Sequence, residues 1–414
     1  MPERTDPSRK DLPLPLLGAD VVGQEGSLPE GTVRRAHNVV IDATGGFARR
    51  PGHSLAIALE NAHSLYRNPD WVLVAGGTKL YTLNLGQGSK SEIFNGLTLE
   101  APVSYCEAAN DTYFCSPGVL GKITRSGLVR RPGVAQLLGL KPTLTATVGA
   151  LSAGRYGVAY SLINDLGEES GLSSIEWIDL PTSGGILLSV LQTASHVSRM
   201  GIYMTTPGGS ELYLHSNRVH AGTASILEPT LSRQATKQYL EPMPGGSIVR
   251  FFHGRLYVAD GPWLWVSEPF DYGLTSVKSG YMIFDRAITM LEPVEGGIFV
   301  GMADRVMFLQ GDGPGGFRNT TAATRGAIPY SGATAPADYF SDLVAPDRGK
   351  PCAAWLSEVG LAVGRPDGSV SFPQAQRVRV IGERARAAFV EHDGIKQAVF
   401  CGATMGTGAI DQTI

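Results

Sequence analysis

A short apolar hairpin that the chain repeats is what most constrains its fold. An apolar run, a turn and a second short strand recur in "WVLVAGGTKLYTL" from Trp71, "TYFCSPGVLGKIT" from Thr112, "GRLYVADGPWLWVS" from Gly254, "GGIFVGMADRVMFLQG" from Gly296, "VGLAVGRPDGSVSF" from Val359 and "KQAVFCGAT" from Lys396. Trp71 precedes Tyr113, and Leu256 precedes Ile298, by about 42 positions, the length of a four-stranded propeller blade. The first strand of each unit is aromatic or β-branched and almost uninterrupted, as in a strand buried on both faces. Six such units predict an all-β chain built on a six-bladed β-propeller-like domain.

One interval breaks the rhythm. Between Tyr113 and Leu256 lies about a hundred residues more than a blade needs, which is the size of an inserted domain. Its sequence alternates apolar and polar residues over short strands, with Tyr156, Val158 and Tyr160 on one face and a glycine-bearing turn about every ten residues. The pattern resembles a fibronectin type III or immunoglobulin-like sandwich. The expected layout is an extended N-terminal arm over 1–37, a first propeller segment over 38–138, the sandwich insertion over 139–241 and a second propeller segment over 242–414.

Composition agrees with a turn-rich globular chain, because 52 Gly and 26 Pro accompany a hydrophobic fraction of 43% and a charged fraction of only 18%. The net charge of −3 is spread over both signs without a basic tract, which argues against tight nonspecific DNA binding. The opening "MPERTDPSRKDLPLPLLGAD" places charges and prolines where a secretory signal needs an apolar core, and no apolar run approaches a membrane span. Among the cysteines Cys106, Cys115, Cys352 and Cys401 there is no zinc-type pair. A two-residue turn at Asn110-Asp111 would set Cys106 opposite Cys115 within bridging distance, the alternative being two reduced core thiols.

Motifs for chemistry are sparse. "GDGPGG", Gly311 to Gly316, has the spacing of a phosphate-binding glycine loop, but no apolar-periodic helix follows. Walker A, His-Glu-x-x-His and Gly-x-Ser-x-Gly patterns are missing from the sequence. The histidines are scattered, and His215 and His220 fall on opposite faces of a strand and turn. "NDLGEES", Asn164 to Ser170, offers three carboxylates for Ca²⁺, although an Asx-type turn with solvated glutamates explains it as well. Asp260, Glu268, Asp285, Glu292 and Asp304 lie near strand ends, where a propeller enzyme acting on glycosides would keep its carboxylate pair. No catalytic, cofactor or metal residue is assigned, and the expectation is a protein that is not an enzyme and holds no cofactor.

Two segments carry a resemblance. "AHNVVIDATGGFARRPG" resembles the N-terminal signature of bacteriophage tail nozzle proteins, also called tail tubular protein B, through Asn38, Gly46-Phe47 and Arg50-Pro51. The run from "FFHGRLYVADG" to "MFLQG" is similar to that family's core through Arg255, Leu256, Ser267, Phe270, Tyr272, Ile288 and Gly311. Val39 to Ile41 would supply a strand that closes the ring or pairs with a late blade. Arg49 and Arg50 would cap carbonyls or meet a neighbouring subunit's carboxylates.

The resemblance implies a structural virion protein of the tail, made and assembled in the host cytoplasm. It would stand as a homohexamer beneath the head-to-tail connector or adaptor, with tail fibres or tip proteins as further partners. DNA would pass through without specific binding, and no membrane would be spanned. The competing reading is a carbohydrate-binding or carbohydrate-degrading propeller of the tail. It lacks the Ser-x-Asp-x-Gly-x-x-Trp box of sialidase-like blades, and "RPDGSVSF" keeps only the Asp-Gly turn. A Trp-Asp-type interaction propeller is less favoured, because the dipeptide is missing.

Overall fold

The computed structural model describes residues 18–23, 28–29, 31–34, 39–41, 47–49, 52 and 54–405, apart from 136–140, 191–195, 220–221, 312, 341–349 and 393–394. Among these residues there is no α-helix, and a single 3-10 turn covers Ala337–Phe340. The chain is all-β and propeller-like, with an inserted sandwich.

Among the described residues six antiparallel sheets have four strands each, five of them blades and the sixth part of the sandwich. Blade 1 runs through Ala62–Arg67, Val72–Gly76, Lys79–Asn84 and Ser89–Asn95, and blade 2 through Ser104–Ala108, Asp111–Ser116, Val119–Ile123 and Val129–Arg130. Blade 3 comprises Ile248–Phe252, Arg255–Asp260, Trp263–Val266 and Tyr281–Ile283. Blade 4 comprises Met290–Val294, Gly297–Gly301, Val306–Gln310 and Arg318–Ala323, and blade 5 Ala333–Pro336, Pro351–Ser357, Gly360–Gly364 and Val370–Ser371. Four of the six repeated hairpins are the second and third strands of blades 1 to 4, and the repeat from Val359 forms the third and fourth strands of blade 5. The sixth repeat takes another form: Ile395–Cys401 pairs back with Arg386–His392 as a two-stranded sheet.

The chain separates into two compact units, Leu59–Asp285 with Gly313–Gly315, and Met1–Ala58 with Arg286–Asp312 and Gly316–Ile414. Blades 1 to 3 and the sandwich therefore form one unit, and blades 4 and 5 belong to the other. This division cuts across the expected segments, because blade 3 lies beyond the insertion in sequence yet shares a core with blade 2. That core joins Cys106, Tyr113, Cys115 and Leu120 to Val249, Leu256 and Val258. In the second unit, Phe299 and Phe308 of blade 4 meet Trp355 of blade 5. The continuous apolar strands are explained by such packing, since a blade between neighbours must be apolar on both faces.

The sandwich has a three-stranded sheet, in which Gly184–Ser189 lies between Thr143–Leu151 and Thr223–Ile226, and a four-stranded sheet ordered Glu176–Leu180, Gly154–Asn164, Val197–Thr205, Leu212–Val219. Tyr156, Val158, Tyr160 and Leu162 alternate into its core and are at most 1% exposed. On the other face of the same strand, Ala159 joins Tyr203, Leu212 and Leu214 under Leu172 and Ile175. An immunoglobulin constant domain starts with a strand at the edge of its A-B-E-D sheet. Here too the first strand, Thr143–Leu151, lies at an edge of its sheet, and the last strand, Thr223–Ile226, takes the opposite edge.

The hairpin carrying two cysteines corrects a sequence expectation. Asp111 pairs with Ala108, so Cys106 faces Tyr113 and Cys115 faces Ser104. The turn sits one residue earlier than expected because Ala109 and Asn110 both take left-handed backbone, with φ of 49° and 68°. All four cysteines are free thiols. Near the N-terminus, Val39–Ile41 pairs with Phe47–Arg49 as a local hairpin rather than with a late blade. Gly18–Ala19 pairs in parallel with Thr32–Val33, and the Val21 amide donates to the Arg377 carbonyl at 2.8 Å. Asn38, Gly46, Arg50 and Pro51 lie outside the described residues, as do His37, His53 and His220; Phe47 is described as a strand residue only, and Arg49 is exposed.

Candidate functional site

Five of the family-resembling positions converge on one end of blade 3. Its first hairpin turns through His253 and Gly254 at φ of 44° and 75°, which leaves the Gly254 carbonyl free to accept. The Phe270 amide donates to that carbonyl at 2.8 Å. A Cβ on Gly254 would lie 3.0 Å from the Phe270 ring, so glycine is needed there both for its backbone and for the aromatic above it.

Ser267 ends the third strand. Its buried hydroxyl accepts from the Leu256 amide at 2.9 Å and donates to the Glu268 carbonyl at 3.0 Å, while Arg255 donates to the Ser267 carbonyl at 2.7 Å. These bonds fix the exit of the strand, and the bridge between Glu268 and Asp271 then folds the tip. Phe270 is held there in left-handed backbone, φ 58°, with 81% of its surface exposed. Holding a large aromatic out of the core in this conformation costs about 1–2 kcal/mol of backbone energy. Tyr272 anchors the other side of the loop by edge contacts with Tyr113 and Phe251, at 5.6 and 5.9 Å between ring centres. Burial raises the phenol pKa of both Tyr113 and Tyr272, which keeps them neutral.

Ile288 and Gly311 do not join this turn. Both belong to the other compact unit, where Ile288 is buried and Gly311 closes a blade 4 turn at φ 134°. The "GDGPGG" segment is thus the connection between two strands of blade 4, with a strand and not a helix after it.

Beside the Phe270 turn runs a charged seam that motif reading missed. Asn164 folds its loop as expected, its side-chain oxygen accepting from the amides of Leu166 and Glu168 at 3.0 and 2.9 Å. The expectation of solvated glutamates is overturned. Glu168 meets Lys122 of blade 2 at 2.5 Å, and that lysine side chain is only 5% exposed. Asp165 receives both guanidinium nitrogens of Arg130, at 2.6 and 3.3 Å, and this contact holds its carboxyl below the usual carboxylate range. Glu169 accepts from Ser161 and Tyr203 at 2.5 and 2.8 Å, and Lys237 bridges it at 3.8 Å to Asp271, 2.7 Å away in the Phe270 turn. Burial, and then Glu169, push the Tyr203 phenol up to about 12. The loop that offers calcium-like carboxylates therefore spends them on lysine and arginine.

The remaining candidate carboxylates are divided between the two compact units. Glu292 is buried and accepts from Thr334 at 2.9 Å, and Asp304 is paired with Arg286 and Arg305 at 3.0 and 3.2 Å. Asp260 is exposed at the end of its strand, and Glu268 belongs to the Phe270 turn. Asp285 ends the first compact unit. Among the described residues no three His, Cys, Asp or Glu side chains stand together as a metal would require, and no helix is long and apolar enough to cross a membrane. The His215 ring contacts the Thr230 carbonyl at 2.8 Å, and His253 stacks on Phe252.

No family model matches the chain, and no curated protein does. Solved structures are similar only faintly. BBS1N, from its complex with ARL6DN, has 10% identity and a TM-score of 0.28 over 86% of this chain and 95% of that one. Hsv2 of Kluyveromyces lactis has 9% identity and a TM-score of 0.24 over 81% and 95%. PorZ of Porphyromonas gingivalis has 12% identity and a TM-score of 0.21 over 85% and 52%. Likenesses of this size carry no functional argument, and the description of the fold rests on the sheets themselves.

Proposed function

We propose that the protein is a structural component of a phage virion, forming the tail nozzle or tube below the head-to-tail connector. In this reading it acts without catalysis, as a homohexameric wall of the DNA exit channel and a platform for tail fibres or tip proteins. It is assembled in the bacterial host cytoplasm and resides in the tail. The supporting observation is the Phe270 turn: residues that resemble the family build one rigid loop whose product is an exposed aromatic, the kind of group that anchors protein contacts. Spread-out charge of both signs suits a wall past which DNA must slide, since few phosphate contacts means little retention.

The test is the solution mass of the purified protein, alone and mixed with connector, by light scattering with negative-stain imaging. Six-fold rings, or monomers that form rings on the connector, are the expected result, and Phe270→Ser weakens that assembly without unfolding the chain. A monomer that ignores the connector overturns the proposal.

A further inference from the structure

A groove of about 860 Å³ opens at one end of blade 1, between the turn that follows Arg67 and the turn that follows Asn84. Both rims are pinned. The Asn68 side chain accepts from the amides of Asp70 and Trp71 at 3.0 and 2.6 Å and donates to Thr112 of blade 2 at 3.0 Å. Across the groove, the Asn84 side chain accepts from the Gln87 amide at 3.1 Å. The cleft is thus built before any ligand arrives, so little ordering cost falls on binding.

Its chemistry is specific. Trp71 is half-buried, packs against the core that blades 1 and 2 share, and is one of the residues that line the groove. Around it stand Arg67, Asp70, Gln87, Ser89 and Ser91. Ser89 and Ser91 alternate onto one face of their strand, where small hydroxyl side chains keep the floor open. Donors and acceptors are mixed, and one cation balances one anion. A phosphate or carboxylate ligand would meet as much repulsion as attraction. A flat ring bearing many hydroxyls would find an apolar face to cover Trp71 and neutral partners at its rim.

We infer that this groove binds a neutral oligosaccharide, with Trp71 as the stacking surface and Arg67, Asp70 and Gln87 as hydrogen-bonding partners. The site is independent of the nozzle reading, because nothing in it involves the Phe270 turn.

The experiment is binding of the full chain to an array of uncharged gluco-, galacto-, manno- and N-acetylglucosamine oligomers, followed by calorimetric titration of the strongest. Trp71→Ala lowers that affinity at least ~10-fold. Because Trp71 also touches the core, Ser91→Phe is the second variant: it fills the groove from an exposed strand position and abolishes binding while the melting temperature holds. Failure of the wild-type chain to bind any oligomer overturns the inference, and so does binding that survives Ser91→Phe.

Discussion

The sandwich and the blades bury their apolar residues by different routes. Among the described residues the buried core of the sandwich runs from Val134 to Ile226, with Leu231 packed against it, so this region draws its core from its own stretch of chain. The core of blades 2 and 3 joins residues of 106–120 to residues of 243–258, on either side of the insertion. A blade is apolar on both faces and is finished only by its neighbour. The comparison teaches that the insertion folds on local information, while the blades flanking it wait for a contact of long sequence separation.

The strongest way to break that contrast is to cut the seam that joins the two regions. Lys122→Met leaves Glu168 and Asp111 without their buried cation, and a loss of about 3–5 kcal/mol is expected in urea unfolding. Paired core truncations sharpen the comparison. Leu162→Ala and Leu256→Ala each cost about 2–5 kcal/mol, yet hydrogen exchange should rise only within the sandwich for the first and across blades 2 and 3 for the second. A smaller effect comes from Gly254→Ala, expected to cost about 1–2 kcal/mol because its φ of 75° is left-handed. The thermal melt should fall while sandwich exchange is unchanged.

The smallest effect at neutral pH belongs to Tyr203. Its folded pKa of about 12 exceeds the ordinary 10.0, so the folded state favours the protonated phenol. That contribution is fully present below pH 10 and is lost as pH rises from about 10 to about 12. Tyr203→Phe should flatten this alkaline limb of the stability curve, read by denaturation at several pH values, at a neutral-pH cost of about 1 kcal/mol for the lost hydrogen bond.

Much of the blade architecture was legible because its signals are local. Apolar runs bounded by turns such as Ala-Gly-Gly-Thr, from Ala75, mark strand pairs without knowledge of the rest of the chain. Register was less legible: an alanine at φ 49° is a poor turn residue by propensity, and tertiary packing of Tyr113 outweighs that preference at Ala109. The Phe270 turn could be recognised by resemblance, but nothing local says that its aromatic points outward. The seam was illegible for another reason. Lys122 and Glu168 are separated by 46 positions and Arg130 and Asp165 by 35, and no short-range pattern ties such charges together.

The placing of the first and last strands of the sandwich on either side of one strand also matters for inheritance. Thr143, where the first strand begins, and Thr223, where the last one begins, both sit beside Ser189. The first and last strands are therefore about 10 Å apart, the width of two strand spacings. A module whose boundary strands lie so close is a cartridge: it can be lifted out and a short linker left in its place, or another of the same kind fitted. What cannot be exchanged freely is the Asn164–Ser170 loop, whose carboxylates act as the key to the lysine and arginine of blade 2. Any replacement that keeps this pattern of charge inherits its seat, and one that lacks it hangs by its two tethers.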